Sequence, residues 1–282
     1  MKTPEMIQVD KLKTFENHPY KVEENEEMEM LTQSIKENGI LSPLIVRPIK
    51  NSEYEIISGH RRLFASKRAG LTEVPAFVYE MDRDKATIAL VDSNLHREHL
   101  LPSEKAFAYK MKLEAMKRQA GRPAKENASP LATNFPQGRS DVELGEAVGE
   151  SKDQVRRYIR LTNLVPELLD MVDEGRIAFR PGVELSYLTQ QEQRDLLETI
   201  SYEDATPSLS QAIKMKEFSK AGKLGTDVIL SIMCERKPNQ AEKISFRTER
   251  LKPFLPKNIT PKETEDYVLK ALEHYHRYRE RM

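Results

Sequence analysis

The sequence contains no tryptophan and a single cysteine, Cys234. One thiol excludes an internal disulfide and any all-cysteine metal site. Long hydrophobic runs are also missing. Stretches such as Ile40–Val46 and Asp227–Cys234 fall far short of the roughly 20 apolar residues a membrane helix needs. Met1 to Lys13 alternates polar and apolar residues and lacks the charged-then-apolar order of a signal peptide. The expectation is a cytoplasmic protein with no membrane partner. An excess of one charge is the last absence: 45 basic residues face 45 acidic ones. Any nucleic-acid binding must therefore use local basic faces, offset by acidic stretches such as Glu23 to Glu29.

What is present divides the 282 residues into segments. Residues 1–118 mix strand and helix signals. Met28, Leu31 and Ile35 mark a helix ending at Gly39, and Leu44–Val46, Tyr54–Ile57 and Val74–Tyr79 read as strands. A helix follows Gly59 and ends near Gly70, and two more cover 84–97 and 103–119. Residues 119–140 are rich in Gly, Pro, Asn and Ser and read as a linker. From 141 to 222 the pattern is helical, with Val165–Glu174 and Gln190–Ile200 as amphipathic helices punctuated by Gly175 and Pro181. In 223–282, Ile244–Phe246 suggests a strand, and T-P-K-E from Thr260 opens a helix expected to bury Tyr267, Val268, Ala271, Leu272 and Tyr275. The fold class expected is α+β: a small mixed α/β domain, an all-helical middle domain and a small α/β C-terminal segment.

The sharpest local signal is a helix-turn-helix at 141–161. Val142, Leu144, Ala147 and Val148 give a first helix its apolar face, and Gly149 suits the turn. Ser151 and Gln154 form a capping box for the second helix, whose Val155 and Ile159 point inward. Ser151, Lys152, Asp153 and Gln154 at its start, with Arg156, Arg157 and Arg160 beyond, suit a recognition helix on double-stranded DNA. Arginine pairs with guanine and glutamine with adenine, while Arg157 and Arg160 are placed to hold phosphates. The alternative is a solvated basic helix in a bundle.

A second constellation lies upstream. Gly59, directly after a strand and opening a helix, sets backbone amides beside Arg61 and Arg62, a ready anion site. Asn94 and Arg97 sit one turn apart in D-S-N-L-H-R-E and are able to share a ligand. The alternative is ordinary surface charge.

In its ordered motifs the chain resembles the ParB partition family across roughly residues 5–220. N-H-P-Y with S-I-K-E-N-G-I-L-S-P-L-I-V-R-P resembles the opening box, and G-H-R-R-L-F-A resembles G-E-R-R-x-R-A. D-S-N-L-H-R-E resembles E-N-x-Q-R-E, and the helix-turn-helix falls where the family has it. The resemblance implies a ParB/sulfiredoxin-like N-terminal domain that binds CTP and Mg²⁺ and closes as a clamp. It implies a middle domain reading a palindromic centromere-like site, a dimerising or accessory C-terminal segment, a homodimer, a ParA-type ATPase as partner and a nucleoid-associated location. Gly59, Arg61, Arg62 and Ala65 match the nucleotide motif. Asn94 matches the metal-holding asparagine and Arg97 the phosphate-holding arginine of the second motif.

Departures carry their own implications. Ser93 stands where the family has the glutamate that supports hydrolysis, with Asp92 one position earlier. A shift of one helical residue turns a side chain by about 100°, so CTPase turnover is in question. His60 and His96 replace glutamate and glutamine, and the C-terminal part resembles a variant on mobile elements of Gram-positive bacteria. Sulfiredoxin shares the N-terminal fold but needs a cysteine at the position of His60, so that chemistry fails here. A nucleotide-dependent serine kinase and a helix-turn-helix transcriptional regulator remain as alternatives. His96 and His99, spaced for one metal, lack a third ligand nearby.

Overall fold

The structure, a computed structural model, describes residues 3–22, 24–95, 97, 100–120, 140–235, 251–256 and 260–279. The N-terminal part is a five-stranded sheet in the order β1-β5-β3-β4-β2. Its strands are β1 (Glu5–Gln8), β2 (Leu12–Lys13), β3 (Leu44–Pro48), β4 (Tyr54–Ser58) and β5 (Glu73–Val78). β1 runs antiparallel to β5 and β3 antiparallel to β4, while β3/β5 and β2/β4 are parallel.

Period-two alternation gives each face of the sheet a separate core. Ile56 joins Ile7, Leu12, Leu44, Val46 and Val74 on one face. Its neighbour Ile57 joins Phe15, Tyr20, Leu90 and Val91 on the other. Helix α1 (Glu26–Asn38) starts where the Asn25 side chain accepts a hydrogen bond from the Met28 amide at 3.1 Å, and it packs through Met28 and Ile35 on Ala65 of α2 (His60–Ala69).

The helix expected over 84–97 is shorter. α3 spans Arg83–Asp92, capped by Asp82. The Asn94 side-chain amide donates to the Leu90 carbonyl at 2.8 Å, and the Ser93 hydroxyl donates to it at 2.9 Å. These side chains occupy the acceptor that the next helical amide would use, and the Asn94 amide turns to the Val91 carbonyl instead. Helix α4 (Pro102–Ala120) follows. The expected linker at 119–140 lies, from 121 to 139, outside the described residues.

Among the described residues seven helices build the second part: α5 (Ser140–Val148), α6 (Lys152–Leu161), α7 (Pro166–Asp173), α8 (Phe179–Leu185), α9 (Gln190–Glu203), α10 (Leu209–Lys220) and α11 (Thr226–Met233). Their common core includes Leu161, Leu168, Ile177, Leu185, Leu196, Met215 and Ile229. Pro181, expected between helices, sits inside the first turns of α8, where a missing amide proton costs nothing. Because α11 buries Ile229 and Ile232 in this core, and Gln211 of α10 donates to the Ile232 carbonyl at 2.8 Å, the helical unit runs on past 222.

The sheet domain and the helices are tied together at Asp173, which is nearly buried. It accepts from the Ser103 amide at 2.9 Å and from the Ser103 hydroxyl, with Lys21 at 3.5 Å. Residues 236–282 form a separate unit. Its helix α12 (Pro261–Arg279) has the reciprocal Thr260–Glu263 cap expected from T-P-K-E. The burial expected on this helix is not found: Tyr267, Leu272 and Tyr275 are 42%, 58% and 60% exposed. The strand expected at Ile244–Phe246 lies outside the described residues. No described helix is long and apolar enough to cross a membrane.

Candidate nucleic-acid interface and anion site

The helix-turn-helix closes through backbone geometry. The Glu150 amide bonds the Gly145 carbonyl at 2.9 Å and the Gly149 amide bonds the Glu146 carbonyl at 3.4 Å, with Gly149 at φ 71°. This six-to-one and five-to-two pair is a Schellman C-cap, which turns the chain sharply after α5. The Ser151 hydroxyl then accepts from the Gln154 amide at 3.2 Å and starts α6. Only this half of the expected Ser151–Gln154 box forms. Val155 is buried against Leu144 and Tyr109, with Ile159 beside it, which leaves the polar residues outward.

Ser151, Lys152, Asp153, Arg156 and Arg157 are exposed and Gln154 is half-buried. Arg156 reaches back to the Asp141 carboxylate at the start of α5, so its guanidinium is oriented rather than loose. Arg160 departs from expectation. Its guanidinium lies 3.9 Å from the Tyr187 ring centroid and donates to the Ser186 carbonyl at 3.2 Å. Lys216 contacts the same ring at 4.0 Å and pairs with Glu184 at 2.6 Å. Arg160 therefore fastens α6 to the end of α8, and the outward cations of α6 are Lys152, Arg156 and Arg157.

The sheet domain brings three distant sequence boxes together. Gly59 caps α2 at φ 108°, and no side chain caps the first turn, so its amides are left for a ligand. A β-carbon at Gly59 would lie 3.0 Å from Leu44 and 3.2 Å from the Arg62 guanidinium. Arg62 itself is held by the Ser42 and Pro43 carbonyls, the latter at 2.9 Å, and Arg61 pairs with Glu27 at 3.0 Å. Ala65 is buried behind them. Arg97 lies 5.5 Å from the Tyr20 ring, exposed. Asn94 is buried, with its amide nitrogen on the Leu90 carbonyl.

Sequence reading gave His18 no role, yet its ring lies 3.8 Å from that of His60. His18 Nδ1 donates to the Tyr20 carbonyl at 2.8 Å. In the neutral ring this leaves Nε2 as a bare acceptor. The Nε2 atoms of both histidines are buried without a partner. Burial, then the charges of His18 and Arg97, push His60 down to about 3. Burial and Arg97 also hold His18 below the ordinary range, against the opposing Tyr20 bond. A folded state that refuses protons its unfolded chain accepts loses stability as pH falls through the unfolded value of about 6.5. Urea midpoints are therefore expected to fall between pH 7 and pH 4, and less so in His60→Gln. Equal pH dependence of the two proteins would contradict this account of the pair.

Other anticipated chemistry is redirected. Asp92, considered as a substitute for the missing glutamate, pairs with Lys112, whose side chain is 6% exposed. Ser93 spends its hydroxyl on Leu90. His96 and His99 lie outside the described residues, and among the described ones no cluster of three or more metal-ligating side chains occurs.

Residues 1–95 match the family model of the ParB N-terminal domain, and residues 131–214 match that of the ParB HTH domain. The probable chromosome 1-partitioning protein ParB of Deinococcus radiodurans is 34% identical over 173 residues, covering 61% of this chain and 52% of that one. This chain spans about half the length of the first curated relatives it matches. The C-terminally truncated ParB of Caulobacter crescentus complexed to the centromeric parS site aligns with a TM-score of 0.43 and 22% identity, over 76% of this chain and 98% of that one. The same protein complexed with CTP-gamma-S aligns with a TM-score of 0.32 and 24% identity, over 70% and 98%.

Proposed function

The chain belongs to the ParB family, and from that premise we propose that it is a sequence-specific DNA-binding partition protein whose N-terminal domain responds to CTP. The observation that carries the reading is α6: a helix fixed by its Ser151 cap and by Val155, presenting Lys152, Arg156 and Arg157 on its open face. In the major groove, Lys152, Asp153 and Gln154 meet base edges first, and the arginines reach bases or phosphates beside them. A homodimer on a palindromic centromere-like site matches this arrangement, since two recognition helices then enter successive grooves. The exposed apolar stripe of α12 supports a dimerising role for the C-terminal unit, 236–282, and a ParA-type ATPase completes the partition reading.

The anion site supports nucleotide binding. The open amides at Gly59, with Arg61, Arg62 and Arg97 around them, suit a triphosphate, and Asn94 Oδ1 suits its Mg²⁺. Bound nucleotide would bridge residues from the 59–65 and 94–97 segments and so bias how two subunits engage. With Asp92 held by Lys112, neither it nor Ser93 offers the carboxylate for hydrolysis, which supports binding with impaired turnover. Such a protein acts on DNA in the cytoplasm.

Replacing Arg156 and Arg157 together by alanine is expected to weaken binding to DNA fragments of the protein's own replicon. Each lost base contact is worth about 1–3 kcal/mol, roughly 5- to 150-fold, and lost phosphate contacts less. Unchanged affinity in a variant with unaltered thermal unfolding would remove α6 as the recognition helix.

A further inference from the structure

Beside the helix-turn-helix runs a groove of about 560 Å³ between α4 and α6. Lys110 and Lys117 of α4 form one side and Arg156 and Arg160 of α6 the other. Among the described residues Asp141 is the single acid lining it, and its carboxylate is bound to Arg156. The Lys110 ammonium is steered into the groove by Thr162 Oγ1 at 3.4 Å, and Lys117 is exposed. Among the described residues neither lysine meets a carboxylate within ion-pair distance. Elsewhere α4 follows the opposite rule: Lys105, Lys112 and Arg118 are each paired with an acid. Two cations left without a carboxylate in the groove beside the recognition helix make a local positive surface on a chain of zero net charge.

We propose that this groove is a second, sequence-independent DNA contact, in which Lys110 and Lys117 hold backbone phosphates flanking the site read by α6. The inference rests on the DNA-binding reading and extends it onto a helix outside the helix-turn-helix. Continuity supports it, because Arg156 belongs to both surfaces. Spacing supports it as well. Seven helical residues separate Lys110 from Lys117 by about 10 Å along α4, comparable with the spacing of neighbouring phosphates on one strand. A strand seated here would be gripped from both sides, by α4 and by α6. Tyr187, with Arg160 against its ring, holds the far end of α6 in place for this grip.

The test is the double variant Lys110→Gln and Lys117→Gln of the full chain, with a mixed-sequence DNA duplex titrated at several salt concentrations. Each phosphate contact contributes about 0.9 to the slope of log affinity against log salt. The slope is expected to become shallower by about 1.8 units, equally for fragments of the protein's own replicon, with the preference between the two kinds of DNA unchanged. An unchanged slope overturns the groove contact and leaves the recognition helix untouched, as does a groove filled by another part of the chain. Failure of the unaltered protein to bind any duplex at low salt would instead overturn the DNA reading itself. Matching thermal unfolding of the two proteins excludes a folding defect as the cause of a loss.

Discussion

Replacing Gln193 by methionine is expected to destabilise the helical unit by about 3–5 kcal/mol, although the two side chains are similar in volume. Gln193 is 1% exposed on α9, and its amide makes three bonds at once. Oε1 accepts from the Val165 amide at 2.8 Å, while Nε2 donates to the Asn163 carbonyl at 3.1 Å and the Leu188 carbonyl at 3.0 Å. Val165 is the N-cap of α7 and has no side-chain cap of its own, so Gln193 serves in place of one. Asn163 and Leu188 lie in the turns after α6 and α8. A single side chain thus satisfies the backbone of two turns between recognition helix and core. Each buried group left without a partner costs about 1–3 kcal/mol, and total stability is on the order of 5–15 kcal/mol. Urea unfolding followed by far-ultraviolet circular dichroism measures the loss. A change below about 1 kcal/mol would mean that these backbone groups find water or each other, and that the amide is not the fastener described.

The second large effect is at Gly145, where alanine is expected to weaken DNA binding at least tenfold. A β-carbon there would lie 2.6 Å from the Glu150 carbonyl oxygen and 3.3 Å from the Lys152 amide, both backbone atoms at the start of α6. Backbone cannot swing aside as a flexible side chain does, so the whole turn must shift. Overpacking of this kind costs about 1–3 kcal/mol in stability. The functional loss comes from displacing Ser151 and Lys152 relative to the groove-facing arginines. Gly149 provides the control. It needs its positive φ of 71°, but a β-carbon there meets nothing within 4 Å. Alanine at 149 costs about 1–2 kcal/mol of backbone strain without driving atoms into α6. The Gly149 variant is therefore expected to keep much of its affinity wherever it is folded. Equal losses from both variants would show that turn stability, rather than the position of α6, governs binding.

Much of this architecture was legible in the sequence because hydrophobic period reports which face of a local element is buried. Met28 and Ile35 marked α1, the adjacent pair Ile56 and Ile57 fed both faces of the sheet, and Ser151 announced the start of α6. Side-chain choices made at long range were not legible. Asn94 closes α3 early by competing for one carbonyl, which no period encodes. His18 meets His60 across more than forty residues, and Arg160 leaves the expected interface because the Tyr187 ring and the Ser186 carbonyl lie within its reach. Gln193, Lys110 and Lys117 carried no signal in the sequence, since no local pattern marks the distant groups that a side chain meets or leaves open. In α12 the helical spacing of Tyr267, Leu272 and Tyr275 was read as burial, yet all three are exposed, because spacing reports which residues share a face and not whether a surface covers it.

The central claim, a nucleotide-responsive partition protein, is tested most directly by equilibrium binding of labelled CTP. ATP and GTP serve as competitors, with and without DNA from the protein's own replicon. CTP-selective binding is expected, strengthened by DNA and abolished by Arg97→Ala while DNA recognition persists. Absence of binding to any nucleotide, with or without DNA, would contradict it and leave a helix-turn-helix protein for which control of transcription is the better reading.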